Sequence, residues 1–339
     1  MNADTLIKTA QAMVEPGKGV LAADESTGTI KKRFDSINVE SVEETRRAYR
    51  DMLFTTPGME DFVSSVILFE ETLYQNSSDG TPFSKLLADK GVIPGIKVDK
   101  GAKPLAGAEG ETVTEGLDGL RERLIEYRKA GARFAKWRAV ITIGDGIPTD
   151  YCIQANAHAL ARYAALCQEQ DIVPIVEPEV LMDADNSIEV CEDVTSRTLQ
   201  AVFAELDQQG VLLEGMLLKP NMVISGKQCP TQADVQTVAE ATVRTLKRYV
   251  PSAVPGIVFL SGGQSDELAT AHLDAMNKIG DLPWALSFSY GRALQAPALA
   301  AWGGKNENVA AGQRAFFHRA KCNSAAAKGE YTSAMEQAA

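Results

Sequence analysis

Eight short apolar runs, each closed by a turn signal, punctuate the chain: GKGVLAAD (17–24), FVSSVILFE (62–70), VIPGIKVD (92–99), ARFAKWRAV (132–140), DIVPIVEPEV (171–180), EGMLLKPN (214–221), GIVFLSGG (256–263) and PWALSFSYGR (283–292). Between most of them lie stretches of helical period. DGLRERLIEYRKAGA puts Leu120, Leu124 and Tyr127 on one face, and QANAHALARYAALCQEQ and QADVQTVAEATVRTLKRY repeat the pattern. Strands that are apolar on both faces and alternate with helices imply a parallel sheet covered by helices. Eight such units in about 300 residues favour a closed α/β barrel, the (β/α)8 TIM barrel, over an open sheet. The expectation is one domain spanning 1–339: a helical extension before the first strand, a barrel from about 17 to 320, and a mobile C-terminal tail from about 321. The tail's small and polar residues have little surface to bury.

The strand ends carry the chemistry. They include Asp24, Glu70, Lys97, Asp99, Lys136, Arg138, Glu177, Glu179, Lys219, Ser261, Ser289 and Arg292. Side chains alternate faces with period two, so Lys136 and Arg138 share a face opposite Trp137, and Glu177 and Glu179 share a face across Pro178. In a barrel these ends converge at the C-terminal mouth, where active sites of this fold lie. Polar residues mark many strand ends, but charges embedded in apolar text, as Lys219 is in EGMLLKPNMV, need compensation for desolvation.

Bulk composition narrows the partners. The formal charge of −11 argues against nucleic acid or an anionic membrane as the partner, and no apolar stretch approaches membrane-spanning length. The first residues lack the apolar region of a secretory signal, so a cytoplasmic location is expected, with a mature plastid stroma as the alternative. Five cysteines without a C-x-x-C pair fit reduced thiols. Three histidines, far apart and without H-x-x-x-H or H-x-H spacing, argue against a histidine-based metal centre, and neither metal nor cofactor is expected.

An acidic chain can still bind an anionic metabolite where its basic residues converge. LSGGQS (260–265) and SYGR (289–292) follow strands seven and eight, the usual phosphate site of such barrels. With Arg292 they form one anionic pole; Lys97, Arg138, Ser26 and Thr29 offer another, so a sugar with a phosphate at each end would suit the mouth. Lys219, crowded by Lys136 and two arginines in a partly apolar barrel, is expected to give up its proton readily. A neutral amine can attack a ketone and form a Schiff base, an electron sink for carbon–carbon cleavage that needs no metal. Neighbouring carboxylates would move the protons.

Taken together, GKGVLAADESTGT, PGIKVDKG, FAKWRAV, VPIVEPEV, LLKPNM, FLSGGQS and FSYGRALQ, in that order, resemble the metal-independent class I fructose-1,6-bisphosphate aldolases over essentially the whole chain. The resemblance implies reversible cleavage of fructose 1,6-bisphosphate to dihydroxyacetone phosphate and glyceraldehyde 3-phosphate, in glycolysis, gluconeogenesis or the Calvin cycle, by a homotetramer. It implies Lys219 as the Schiff-base lysine, Asp24 as the base on the C4 hydroxyl, and Glu177 as the acid–base group of carbinolamine dehydration. Glu179 would support the lysine cluster, and Lys136 would orient Asp24. Ser261, Gly262, Gly291 and Arg292 would hold the C1 phosphate, with Ser26, Thr29, Lys97 and Arg138 toward the C6 phosphate. Two departures stand out. Thr29 replaces a usual serine and keeps the hydroxyl, and the chain ends in EQAA where many members end in tyrosine. Tyr331, the tail's aromatic residue, is expected only to anchor the tail, leaving enamine protonation to water or a barrel carboxylate. Competing readings are a transaldolase-like Schiff-base enzyme, disfavoured by the motif text; an aldolase preferring sedoheptulose 1,7-bisphosphate; and a non-catalytic scaffold, disfavoured by the presence of Lys219 and Asp24.

Overall fold

A computed structural model describes residues 1–337. Eight parallel strands close a barrel: β1 (Gly19–Ala23), β2 (Val63–Leu68), β3 (Ile93–Lys97), β6 (Phe134–Ile141), β7 (Val173–Val180), β8 (Leu217–Leu218), β9 (Gly256–Phe259) and β10 (Ala285–Tyr290), with β10 pairing back onto β1. Between β3 and β6 stands an antiparallel hairpin, β4 (Ala102–Pro104) and β5 (Thr112–Thr114), which the sequence reading passed over because its strands are only three residues long and the first is exposed. The helices expected around residues 120, 155 and 240 are Leu120–Lys129, Asp150–Glu169 and Val235–Tyr249.

All eight expected strands are present, and most are trimmed at the ends. The largest correction is the sixth, expected over 214–221 and reduced to two residues. Leu213–Gly215 winds into a 3-10 turn, and Pro220 has no N–H to extend the ladder beyond the Lys219 N–H, which donates to the Val176 carbonyl at 2.8 Å. The C-terminal boundary is also corrected. Residues 321–327 are the last turns of the helix Val309–Ala327, with Cys322, Asn323 and Ala326 buried. Beyond it Tyr331 is buried, its N–H donating to Asp274 Oδ1 and its hydroxyl to Glu336 Oε1, both at 2.9 Å. The segment is therefore packed as far as it is described, and an anchoring contact rather than composition decides that. Among the described residues no helix is long and apolar enough to cross a membrane.

Period-two alternation sets the layering. One face of each strand meets the surrounding helices: Leu21, Ala23, Ala135, Trp137, Val176, Leu218 and Ile257 belong to that outer core, where Trp137 packs on Tyr163 with ring centroids 5.6 Å apart. The other face points into the barrel. There Val20, Ala22, Phe134, Val173, Ile175, Leu217 and Val258 form a lower apolar plug, sealed by Leu6, Ala10 and Met13 of the helix Ala3–Met13. That helix starts at Asn2, whose side chain accepts from the Thr5 N–H at 3.1 Å. The next inward positions upward are Asp24, Lys136, Arg138, Glu177, Glu179 and Lys219. Phe134 fills the plug only because Gly95, its partner across β3 and β6, has no side chain: a Cβ there would lie 2.4 Å from the Phe134 ring. Gly95→Ala is therefore expected to destabilise the barrel by about 1–3 kcal/mol through overpacking. Urea unfolding would show this as a lower midpoint with an unchanged slope; an unchanged midpoint would mean that Phe134 has room to move.

Candidate active site

At the C-terminal mouth a cavity of about 230 Å³ is lined by Ala22, Asp24, Glu25, Ser26, Thr29, Arg33, Lys97, Lys136, Arg138, Glu177, Glu179, Lys219, Leu260, Ser261, Gly262, Ser289, Gly291 and Arg292. Every residue expected to be catalytic or phosphate-binding lines this one cavity; of the other charged strand ends, Asp99 stands behind it and Glu70 turns away to Tyr127 and Lys100. Glu25 and Arg33 were missed, although both had a signal. Glu25 follows Asp24 at the end of β1, and Arg33 stands seven positions after Ser26, on the same side of the helix Thr27–Asp35.

The floor is a chain of alternating charges. Lys136 Nζ lies 2.7 Å from Asp24 Oδ2 and 3.2 Å from Glu177 Oε2; the other oxygen of Glu177 lies 3.2 Å from Lys219 Nζ. All four side chains are buried, so each charge needs its neighbour. Burial pushes the Asp24 carboxyl up, but the Lys136 and Lys219 ammoniums outweigh it and hold the group at about 2. Burial likewise works against the Glu177 carboxylate, and Lys136, Lys219 and Arg138 together bring its pKa below the ordinary value. For Lys136, burial opposes the charge while Asp24, Glu177 and Asp99 hold its pKa well above the usual lysine range. The like-charge crowding expected around Lys219 is thus interleaved with carboxylates.

One wall joins Lys97 and Arg138 through Asp99, whose Oδ1 is 3.3 Å from Lys97 Nζ and whose Oδ2 accepts from the Arg138 N–H at 3.2 Å. Arg138 Nε donates to Glu179. The opposite wall is backbone. Gly262 has φ +55°, a conformation that favours glycine, and the Gly263 N–H meets Met182 Sδ at 2.9 Å. The loop is braced from behind by Gln264, which donates to the Ser261 carbonyl at 3.1 Å and shares a 2.6 Å hydrogen bond with His272 Nδ1. Burial takes His272 down to about 4, so it is neutral. Arg292 donates to the Gln264 carbonyl and pairs with Asp266 at 3.3 Å, which points it along the rim. Between the walls, Ser26 caps the helix Thr27–Asp35, and its hydroxyl lies 3.1 Å from that of Thr29. Arg33 is held by Glu25 at 2.5 Å, and Glu25 also contacts Arg50 and Gln295.

Six cationic side chains (Arg33, Lys97, Lys136, Arg138, Lys219 and Arg292) face four carboxylates (Asp24, Glu25, Glu177 and Glu179) in this lining. A chain of formal charge −11 thus keeps an excess of positive charge in the cleft at its barrel mouth. The arrangement suits an anionic ligand, with an amine and proton carriers at its centre.

The family model described as fructose-bisphosphate aldolase class-I matches residues 5–339. The chain belongs to the class I fructose-bisphosphate aldolase family. A probable fructose-bisphosphate aldolase class 1 of Xanthomonas campestris pv. campestris is 60% identical over 332 residues, covering 98% of this chain and 99% of that relative. The cytosolic fructose-bisphosphate aldolase 5 of Arabidopsis thaliana is 60% identical over 97% of this chain and 92% of its own length. A solved structure of fructose-bisphosphate aldolase from Plasmodium falciparum, in complex with TRAP and a small molecule inhibitor, superposes with a TM-score of 0.96 at 55% identity, covering 97% of this chain and 96% of that one.

The depressed Asp24 carboxyl gives a pH test of the floor. A group whose folded value lies below its unfolded one contributes stability above the unfolded value and loses it as pH falls through the folded one. The window here runs from about pH 4 down to about pH 2. Across it the wild type should lose up to about 2 kcal/mol more than Asp24→Asn. Parallel urea-unfolding curves for the two proteins over this range would contradict the ion-pair geometry.

Proposed function

We propose that this family member carries out reversible cleavage of fructose 1,6-bisphosphate through a Schiff base on Lys219, with the whole chain acting as one catalytic unit. The observation that carries the reading is the Lys219–Glu177–Lys136–Asp24 chain of contacts at the cavity floor. Attack on the C2 carbonyl requires Lys219 Nζ to shed a proton, and Glu177 Oε1 at 3.2 Å is within reach to take it. The same carboxyl can return that proton to the carbinolamine hydroxyl, which leaves as water when the iminium forms. Asp24, kept ionised at neutral pH, then removes the C4 hydroxyl proton. The C3–C4 bond breaks, its electron pair flows into the iminium to give an enamine, and glyceraldehyde 3-phosphate departs. A proton added at C3 and hydrolysis of the imine release dihydroxyacetone phosphate and restore the lysine.

Lys136 supports this sequence by holding Asp24 and by presenting a positive charge where the hydroxyl oxygen becomes negative. Ser261, Gly262, Gly291 and Arg292 take the C1 phosphate, and Ser26, Thr29, Lys97 and Arg138 face the C6 end. Arg33, beside Gly291, adds a cation between the two poles. Tyr331 is engaged by Asp274 and Glu336, which supports water or a barrel carboxylate as the C3 proton donor. A cytoplasmic location, as in the cytosolic plant relative, and a homotetramer complete the reading.

Two measurements test it. Borohydride added with dihydroxyacetone phosphate should fix the ligand's mass on Lys219 and abolish activity, while EDTA leaves cleavage unchanged. Label on another lysine, or activity lost to the chelator, would overturn the assignment. Arg292→Ala should raise KM for the bisphosphate by roughly ten- to a hundredfold, as expected for a charge-assisted contact of about 1.5–3 kcal/mol, with little effect on an unphosphorylated sugar. Equal losses on both would make Arg292 a structural residue only.

A further inference from the structure

Away from the mouth, the last helix and the C-terminal segment bring together three groups with no part in the chemistry above. His318 and Cys322 stand four residues apart in HRAKC, so the helix Val309–Ala327 presents both on one face. Cys322 Sγ lies 3.7 Å from His318 Nε2. Glu336, in the 3-10 turn Ser333–Gln337, brings Oε2 to 3.8 Å from the same nitrogen. The three donor atoms all lie within 4.8 Å of one another.

We propose that His318, Cys322 and Glu336 form a binding site for a thiophilic divalent cation, Zn2+ fitting best, which pins the C-terminal segment onto the last helix. In tetrahedral zinc sites the bond lengths place neighbouring donors roughly 3.3–3.6 Å apart. The separations of 3.7 and 3.8 Å therefore need only a small contraction. The donor set, one sulfur, one imidazole nitrogen and one carboxylate oxygen, selects zinc over calcium or magnesium, which prefer all-oxygen shells. The carboxylate is already oriented: Tyr331 donates its hydroxyl to Glu336 Oε1 at 2.9 Å, the outer contact that metal-bound carboxylates use. His318 also lines an open groove with Thr56, Pro57, Gln313, Phe317 and Lys321, so the imidazole can be approached from solvent.

Arg319 is the competitor, because its guanidinium shares Glu336 Oε2. Its Nη2 keeps other partners, donating to Thr270 Oγ1 at 2.6 Å and to the Asp266 carbonyl at 3.2 Å, whereas Nη1 donates to Glu336 alone, so the cation and Arg319 must share that carboxylate. On binding, the Cys322 thiol releases its proton to solvent; thiolate and carboxylate together then balance the dipositive ion. The sequence reading compared histidines only with one another, and so passed over the His–Cys pair. The inference does not rest on the aldolase reading, since none of the three residues lines the catalytic cavity.

The test strips the full-length protein with a chelator and titrates it with Zn2+ by equilibrium dialysis, and with Co2+ by near-ultraviolet absorption. One tight site per chain and a thiolate-to-cobalt charge-transfer band are expected. The band should survive Cys229→Ala, which removes the one cysteine that is not buried, and vanish in Cys322→Ala. His318→Ala and Glu336→Gln, at positions that are partly exposed, should fold normally and weaken Zn2+ at least tenfold. Tyr331→Phe should weaken it about tenfold or more through the outer contact. Zn2+ should slow hydrogen exchange over residues 330–337 in the wild type alone. Absence of stoichiometric uptake, or equal affinity in the wild type and the three ligand variants, would overturn the site and leave the Tyr331 contacts and the Arg319–Glu336 pair to hold the segment.

Discussion

A lysine ammonium buried inside a barrel can persist only if carboxylates reach it, and Lys136 has two within ion-pair distance. Removing either would leave an uncompensated buried charge, which typically costs about 3–5 kcal/mol. The contact fixes more than one side chain. It ties the end of β1, through Asp24, to the middle of β6 and the upper part of β7, three strands that are not all neighbours in the barrel. The mouth is therefore braced across its diameter by charge, as the floor below is braced by the apolar plug. The same contact sets the electrostatics, since Asp24 stays ionised because Lys136 stays protonated.

The change from plug to mouth occurs at one level on several strands, and period two explains how a sequence arranges it. Ala22 is followed two residues on by Asp24, Phe134 by Lys136, Ile175 by Glu177, Leu217 by Lys219. Each step moves up one inward position, and the residues in between, Ala23, Ala135, Val176 and Leu218, remain in the outer core. The helix Ala3–Met13 seals the other end, which keeps water from reaching the buried charges from below. Burial above that seal makes the cation excess effective on an anion at the mouth.

This layering is why so much could be read from the chain. Strand identity, barrel closure and the inward face of each charged residue all follow from alternation along a strand, which is local. What escaped was non-local or aperiodic. The shortness of β8 follows from Pro220 and a 3-10 turn, not from hydrophobicity, since Met216 to Leu218 are as apolar as any strand. Arg33 reaches the cavity from a helix, and its tie to Glu25 could not be foreseen from strand ends. The C-terminal segment looked unable to order itself by composition, yet Tyr331 and Glu336 find fixed partners in Asp274 and Arg319, more than 50 and 15 residues away in sequence.

The floor also bears on which of two neighbouring lysines reacts. Both are buried and both touch Glu177, so burial alone does not distinguish them. Their other contacts do. Lys136 has Asp24 at 2.7 Å as well, and with Asp99 nearby its proton is held well above the usual lysine range, which leaves it a charge and not a nucleophile. Among the described residues Lys219 has Glu177 as its sole ion-pair partner, the group that the proposed mechanism uses as its proton acceptor. One carboxylate shared between two ammoniums, with a second carboxylate reserved for one of them, is enough to divide the labour. In the proposed mechanism Lys136 is the charge that steadies Asp24, and Lys219 is the attacking amine.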